Sequence, residues 1–356
     1  MSQGMAGHQR SQVTIWQGER EGTPGGQDGA AHRGQGTGAR FAGGAPPPTV
    51  GPVTDLLPAL HQLAELPGVQ DGVDEAREAC TRLRWHQALR RRIPEAAAES
   101  RVRGATASAM LDGAEPAGST LSTAVVRDLV RGGLEGQERA DDPVLRVVAG
   151  VVRATAATEH LGASHLRSPA QVLASLHAAA TGGLLPMAQV GRPRAAGETC
   201  LEWTELGPAP GPDELRERLA AVHDLLAAVV DGGAPTLLVA AVAHAEIVAV
   251  RPFVTGNGVV ARALERVVLR VGGLDPTGVA VPEVGHADRA GTDYRGALGA
   301  YVSGGPDGLR LWLLHSADAV VRAAAEGTRI ADASWPDAWA ETPRRVVASR
   351  STRGAY

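Results

Sequence analysis

The residues best placed to do chemistry lie between Thr236 and Arg270. Arg251-Pro252-Phe253-Val254-Thr255-Gly256-Asn257-Gly258 run consecutively, with Arg262 four residues further on. Gly-Asn-Gly is permissive backbone at the point where a helix opens. Unpaired amides and the positive end of the helix dipole meet there, so Gly256, Asn257 and Gly258 suit an anion such as phosphate. A Gly-Asn-Gly turn alone is a weak signal, and its surroundings strengthen it. Upstream, Ser108 and Asp112 sit four apart and share a helical face just before Gly113.

These residues need helices to hold them. Pro235 and Pro252 bracket an apolar helix over 236–250, because proline lacks an amide donor and disfavours helix in the residue before it. A second helix opens at Val259. Upstream, helical periodicity appears at Leu56–Leu66, Asp74–Arg92 and 95–112, then at about 121–133, 142–161 and 168–181. Asp213–Val230, Arg289–Val302 and Leu309–Glu326 follow with the same period. The short Thr199–Leu206 run, between Gly/Pro-rich joints, is expected as one arm of a β-hairpin.

The chain has 356 residues, enough to bury a core as one large domain or two small ones. Aromatics make up 3%, so the core is built from Leu, Val and Ala, and a mainly helical protein is expected. All 35 basic residues are arginine, as a GC-rich genome would give. A net charge of -4 offers no general nucleic-acid surface. Arg90-Arg91-Arg92 reads as a solvated helical face, since no aromatic interleaving accompanies it. Cys80 and Cys200 lack metal-type spacing, and no ion is assigned to them. No targeting pattern opens the chain. The longest apolar run, 237–250, is broken by His244 and Glu246 and falls short of a membrane span. A cytoplasmic protein is therefore expected. Residues 1–50, rich in Gly, Gln, Arg and Pro, are expected to be a disordered tail, with Val13, Ile15 and Trp16 as its one apolar spot.

The segment from Arg251 to Arg262 resembles the signature loop of the Fic (Fido) family, His-Pro-Phe-x-Asp/Glu-Gly-Asn-Gly-Arg-x-x-Arg. His244–Val250 looks like the helix preceding that loop, and Gly191–Leu206 like the family's β-hairpin flap. Ser108-Ala-Met-Leu-Asp112-Gly113 resembles its inhibitory helix motif. The resemblance implies a Fic-type helical bundle with a small β-hairpin flap. It also implies an order of parts: a tail over 1–50, a helical extension over 51–100, a Fic-like domain over 101–327 and a C-terminal tail over 328–356. Within that domain the inhibitory helix falls at about 101–113 and the signature loop at 251–262.

Relatives of this kind transfer the nucleotide part of ATP to a protein hydroxyl. The motif histidine deprotonates the hydroxyl, the acidic residue holds magnesium, and the loop with two arginines grips the phosphates. Here the histidine position is Arg251, whose pKa above about 12 rules out general-base work. The metal position is Thr255 and the first phosphate arginine is Val259. Gly256, Asn257, Gly258 and Arg262 remain. The resemblance therefore implies ATP or another nucleotide as ligand and a target protein as partner, with no carboxylate left at the motif to hold Mg²⁺. Arg251 has two readings: it holds an anion, or it forms a structural salt bridge. Asp112 is expected to face Arg262, with a contact weakened or water-mediated by its shorter side chain; otherwise it is a surface carboxylate beside a helix end. His244 reads as a satisfied core histidine, and His286 as a weaker candidate base. The leading function is a Fic-like protein with impaired or altered chemistry. The alternatives are an active transferase using other residues and a non-enzymatic helical interaction module.

Overall fold

The longest apolar run of the sequence, 237–250, forms the helix on which the rest of the fold packs. The structure, a computed structural model, describes residues 56–114, 121–131 and 142–334. The expected N-terminal tail, most of the C-terminal tail, and Trp335 and Trp339 lie outside them. Thirteen α-helices occur among the described residues. In chain order they are α1 (Leu56–Ala64), α2 (Val69–Arg84), α3 (Leu89–Leu111), α4 (Thr123–Val130), α5 (Pro143–Ala157), α6 (Ala163–Leu166) and α7 (Pro169–Thr181). They continue with α8 (Pro212–Asp231), α9 (Thr236–Val250), α10 (Asn257–Val271), α11 (Pro282–His286), α12 (Thr292–Ser303) and α13 (Gly305–Ala333).

Every residue of α9 except Thr236 and Glu246 is buried. A helix apolar on all sides has no solvent face and belongs inside a bundle. It packs against α8, α10 and α13. Its Leu and Val side chains each contribute about 1.5–3 kcal/mol by leaving water. Glu246, its half-buried acid, is held by Nε and Nη2 of Arg218 on α8, each bond 2.9 Å. At the far end of the α9–α10 pair the Thr236 hydroxyl donates to the Gly272 carbonyl at 2.8 Å. A smaller apolar cluster lies between α3, α4 and α5 and includes Ala105, Ala109 and Val148. No described helix is long and apolar enough to cross a membrane.

Three expectations change. The helix expected over 74–92 ends at Arg84, because His86 turns its Nδ1 onto the Ala88 amide and its Nε2 toward Asp332. Residues 89–92 instead open α3, which kinks at Arg92, two residues before Pro94, and continues through residues 100 and 101. The β-hairpin does not form: no strand occurs among the described residues, and 199–206 holds only a short 3₁₀ turn over Thr204–Leu206. Pro193, Pro208 and Pro210 supply no amide to a ladder. Trp203 and Gly207 take left-handed φ of 55° and 83°. Carbonyls that a partner strand would need, those of Trp203, Gly207 and Pro208, are bonded to Arg251 instead.

Candidate anion-binding site

The loop between α9 and α10 is built by its own side chains. Arg251 ends α9 by taking φ 47°, ψ 65°, and Pro252 follows. The Asn257 amide group clasps the turn, accepting from the Phe253 amide and donating to the Phe253 carbonyl, both at 2.9 Å. Gly256 caps α10 with φ 84°, where a side chain would be strained. From α7, the His177 ring stacks on Phe253 with centroids 3.9 Å apart. Its Nδ1 accepts from the Gly191 amide at 2.9 Å, so Nε2 carries the proton and donates to the Thr255 carbonyl at 3.1 Å. Burial lowers its pKa to about 4 despite that bond to Thr255. His177 is thus a neutral prop beneath the loop.

The amides at the start of α10 point at a carboxylate from the chain itself. Glu202 Oε1 accepts from the Thr255 hydroxyl at 2.6 Å and the Gly256 amide at 2.5 Å. Its Oε2 accepts from the Asn257 amide at 3.0 Å and the Asn257 side chain at 2.9 Å. Four donors converge on one carboxylate at a helix N-terminus, as amides and dipole would favour for any anion. Glu202 carries no recognised motif. Its one signal in the sequence is that it is an acid in the segment expected to face a loop with Thr255 where the resembled motif has an acid.

Arg251 takes neither of its expected roles. Its side chain is buried among backbone carbonyls, donating to Trp203 at 3.1 Å, Gly207 at 2.8 Å and Pro208 at 3.0 Å, with Nε directed to Ala249 at 3.3 Å. It forms no salt bridge among the described residues and aims no donor at the Gly-Asn-Gly turn. Arg194 reciprocates from the segment, donating its Nε to the Arg251 carbonyl and its amide to the Pro252 carbonyl, both at 2.7 Å. The loop and residues 194–210 are therefore laced together through guanidinium–carbonyl bonds.

Arg262 is fully buried, and the end of α3 covers it. Its Nε donates to the Ser108 hydroxyl at 2.8 Å, and its Nη2 to Asp112 at 2.7 Å and to the Ser108 carbonyl at 3.2 Å. The aspartate reaches the guanidinium directly, so the contact is closer than its shorter side chain implies. It does so through one oxygen, and Nη1 is left buried without a hydrogen-bond partner. Burial raises the Asp112 pKa against the opposing pull of Arg262. Gly258 makes this approach feasible, since a Cβ there would lie 2.8 Å from Asp112 Oδ1 and 3.1 Å from Arg262 Nη1. Gly113 turns the chain away from α3 at φ 76°. Val259 does not face the anion position but packs into the apolar cluster of α3 and α5. His244 and His286 lie in the core, bonded to Glu265.

The site therefore gathers Gly256, Asn257, Gly258, Arg262, Ser108 and Asp112, adds Glu202 and His177, and turns Arg251 away. It can hold negative charge in two places, at the α10 amides and at Arg262, and the chain's own carboxylates occupy both. Residues 167–269 match the model of the Fic/DOC family. The fold is similar to that of a Fic family protein from Desulfovibrio desulfuricans G20, at TM-score 0.60 and 21% identity over 76% of this chain and 77% of that one. It is also similar to Fic-1 from C. elegans, at TM-score 0.55 and 21% identity over 79% of this chain and 76% of that one. No curated protein matches the chain.

Proposed function

With a Fic/DOC-family domain at residues 167–269 set in a Fic-type fold, we propose that this chain is a phosphate- or nucleotide-binding member that no longer performs adenylyl transfer by the family's usual route. The observation that carries this reading is the Glu202 carboxylate on the Thr255, Gly256 and Asn257 donors. A loop that satisfies a carboxylate with four donors has the means to satisfy a phosphate, and in this state the carboxylate competes with it.

Chemistry is a separate matter. The motif position that would supply a general base holds Arg251, and loss of a base costs about 10²–10⁴ in rate. Among the histidines nearby, His177 has both ring nitrogens engaged and His244 is buried in the core. The residues of the loop do not fit magnesium. Thr255 offers a neutral hydroxyl already donated to Glu202, and both Glu202 oxygens accept two bonds each. The expected partner is a nucleotide.

Calorimetry with ATP and with ADP, each with and without Mg²⁺, tests the reading. Weak binding to the wild type and at least about tenfold tighter binding to Glu202→Ala are expected, since one internal competitor has been removed. The absence of heat from the wild type, Glu202→Ala and Asp112→Ala alike would refute it. Incubation of the wild type with labelled ATP and lysate should leave proteins unlabelled. Robust labelling lost in Arg262→Ala would establish an active transferase instead.

A further inference from the structure

Beneath Arg262, on the side away from the anion loop, three helices bring metal-ligating atoms together. His244 comes from α9, Glu265 from α10 and His286 from α11. His244 Nδ1 lies 2.7 Å and His286 Nε2 2.8 Å from the same oxygen, Glu265 Oε2. The three ligand atoms all lie within 4.8 Å of one another, and all three side chains are buried. We infer that His244, Glu265 and His286 form a binding site for one divalent transition-metal ion, with Zn²⁺ as the best-matched ion.

Three observations carry this. The first is donor chemistry. Two imidazoles and a carboxylate suit zinc, cobalt or ferrous iron, whereas magnesium and calcium prefer all-oxygen shells. Bidentate coordination by Glu265 would supply a fourth donor. The second is orientation. A metal-bound histidine ordinarily has its other ring nitrogen fixed by a neighbour. Both histidines do: His244 Nε2 meets the Tyr294 hydroxyl at 2.8 Å and His286 Nδ1 meets His315 Nε2 at 3.1 Å. The Trp312 ring flanks His244 and His286, closing the cluster with apolar surface.

The third observation is charge. The Glu265 carboxyl is buried, and its Oε2 faces the two imidazoles. The two arginines of α10 nearest the cluster are each committed to another carboxylate, Arg262 to Asp112 and Arg266 to Glu283. A buried carboxylate is ordinarily paired with a cation. Either a metal ion or a proton held as imidazolium would meet that need. Seating an ion at about 2.0–2.2 Å from each atom requires the ring nitrogens to withdraw from Glu265 by several tenths of an ångström. Such an ion would tie α9, α10 and α11 together directly beneath the anion site. It would also act on Arg262 through His244 and Tyr294, whose hydroxyl faces that guanidinium.

The test uses the full chain without a polyhistidine tag, expressed in medium supplemented with Zn²⁺ and dialysed before elemental analysis. About one equivalent of zinc per chain is expected. A second sample is unfolded, stripped with a chelator and refolded with Co²⁺, and should show the ligand-field absorption of a histidine- and carboxylate-bound cobalt ion. His286→Ala and Glu265→Gln should each lower retained metal to about a tenth or less of the wild-type value. If these variants fail to fold, wild-type stoichiometry and the cobalt spectrum decide. Wild-type protein that folds normally yet stays metal-free in both preparations would overturn the inference, with the proton as the missing cation. So would undiminished metal in both folded variants, which would point to adventitious binding elsewhere.

Discussion

The candidate site is closed from two sides, and the two closures are built differently. On one side the end of α3 sets Ser108 and Asp112 against Arg262, a side-chain contact from one regular helix to another. On the other side residues 199–208 form no strand and only a single 3₁₀ turn. They deliver Glu202 to the loop and are themselves held by Arg251 through carbonyls. Arg295 bridges the two, donating to the Leu111 carbonyl at 2.7 Å and to Glu205 at 2.8 Å. The first closure is an ion pair that an incoming anion could replace. The second is a backbone lacing in which Arg251 acts as a strut.

Cutting each closure and then offering an anion should separate them most widely. Arg251→Ala removes the donors from the buried Trp203 carbonyl and the part-buried Gly207 and Pro208 carbonyls, and should cost about 3–5 kcal/mol of unfolding free energy, read from the urea midpoint. Inorganic phosphate should not restore it, because no phosphate can lie along those carbonyls. Asp112→Ala strands the buried Arg262 charge and should cost on the order of 3 kcal/mol in dilute buffer. Here millimolar phosphate should recover part of the loss by pairing with Arg262. Equal rescue of both variants would mean that Arg251 serves the anion after all.

Much of the first closure is legible in the sequence. Spacing puts Ser108 and Asp112 on one helical face, while their pairing with Arg262 follows only from the resemblance of both segments to Fic-family motifs, since no helical period joins residues 150 apart. Pro235 and Pro252 likewise mark α9 to the residue. The second closure leaves no comparable trace. Arg251 can be read as a lost base, but its partners are backbone carbonyls at Trp203, Gly207 and Pro208, which no residue type announces. The 199–206 run looks like a strand because its residue types suit one, yet prolines and arginine–carbonyl bonds remove the ladder. His177 looks like one polar residue on an apolar helix, and only the fold brings it to Thr255. The helix break at Trp85 is hidden because amphipathic periodicity continues across it.

Acid should separate the closures further. His177 is neutral in the folded protein with a pKa lowered to about 4 by burial, while in the unfolded chain it returns to 6.5. Between these values the unfolded state binds more protons, so stability is complete above 6.5 and falls as pH drops toward 4. The shift sets an upper bound on the loss, on the order of 3 kcal/mol. Protonation places a second N–H against the Gly191 amide, so the damage falls on the segment beside Arg194 and not on Asp112. Urea titrations at pH 7 and pH 4.5 should show a smaller drop for His177→Gln than for the wild type. Identical drops would mean that His177 has no part in the acid response.

The smallest effect should come from Glu202→Gln, which asks whether the two closures are coupled. Glutamine keeps the size of the side chain and one acceptor oxygen, but loses the charge and presents an NH₂ group to donors. A hydrogen bond to a charged acceptor contributes about 1.5–3 kcal/mol, and part of that survives at the remaining oxygen. Amide exchange at Gly256 and Asn257 should therefore accelerate by roughly tenfold, with exchange within α3 unchanged. Confinement of the change to these amides would show that the closures open independently. Acceleration at the end of α3 as well would show that Arg295 transmits the loss, making the two closures one cooperative unit.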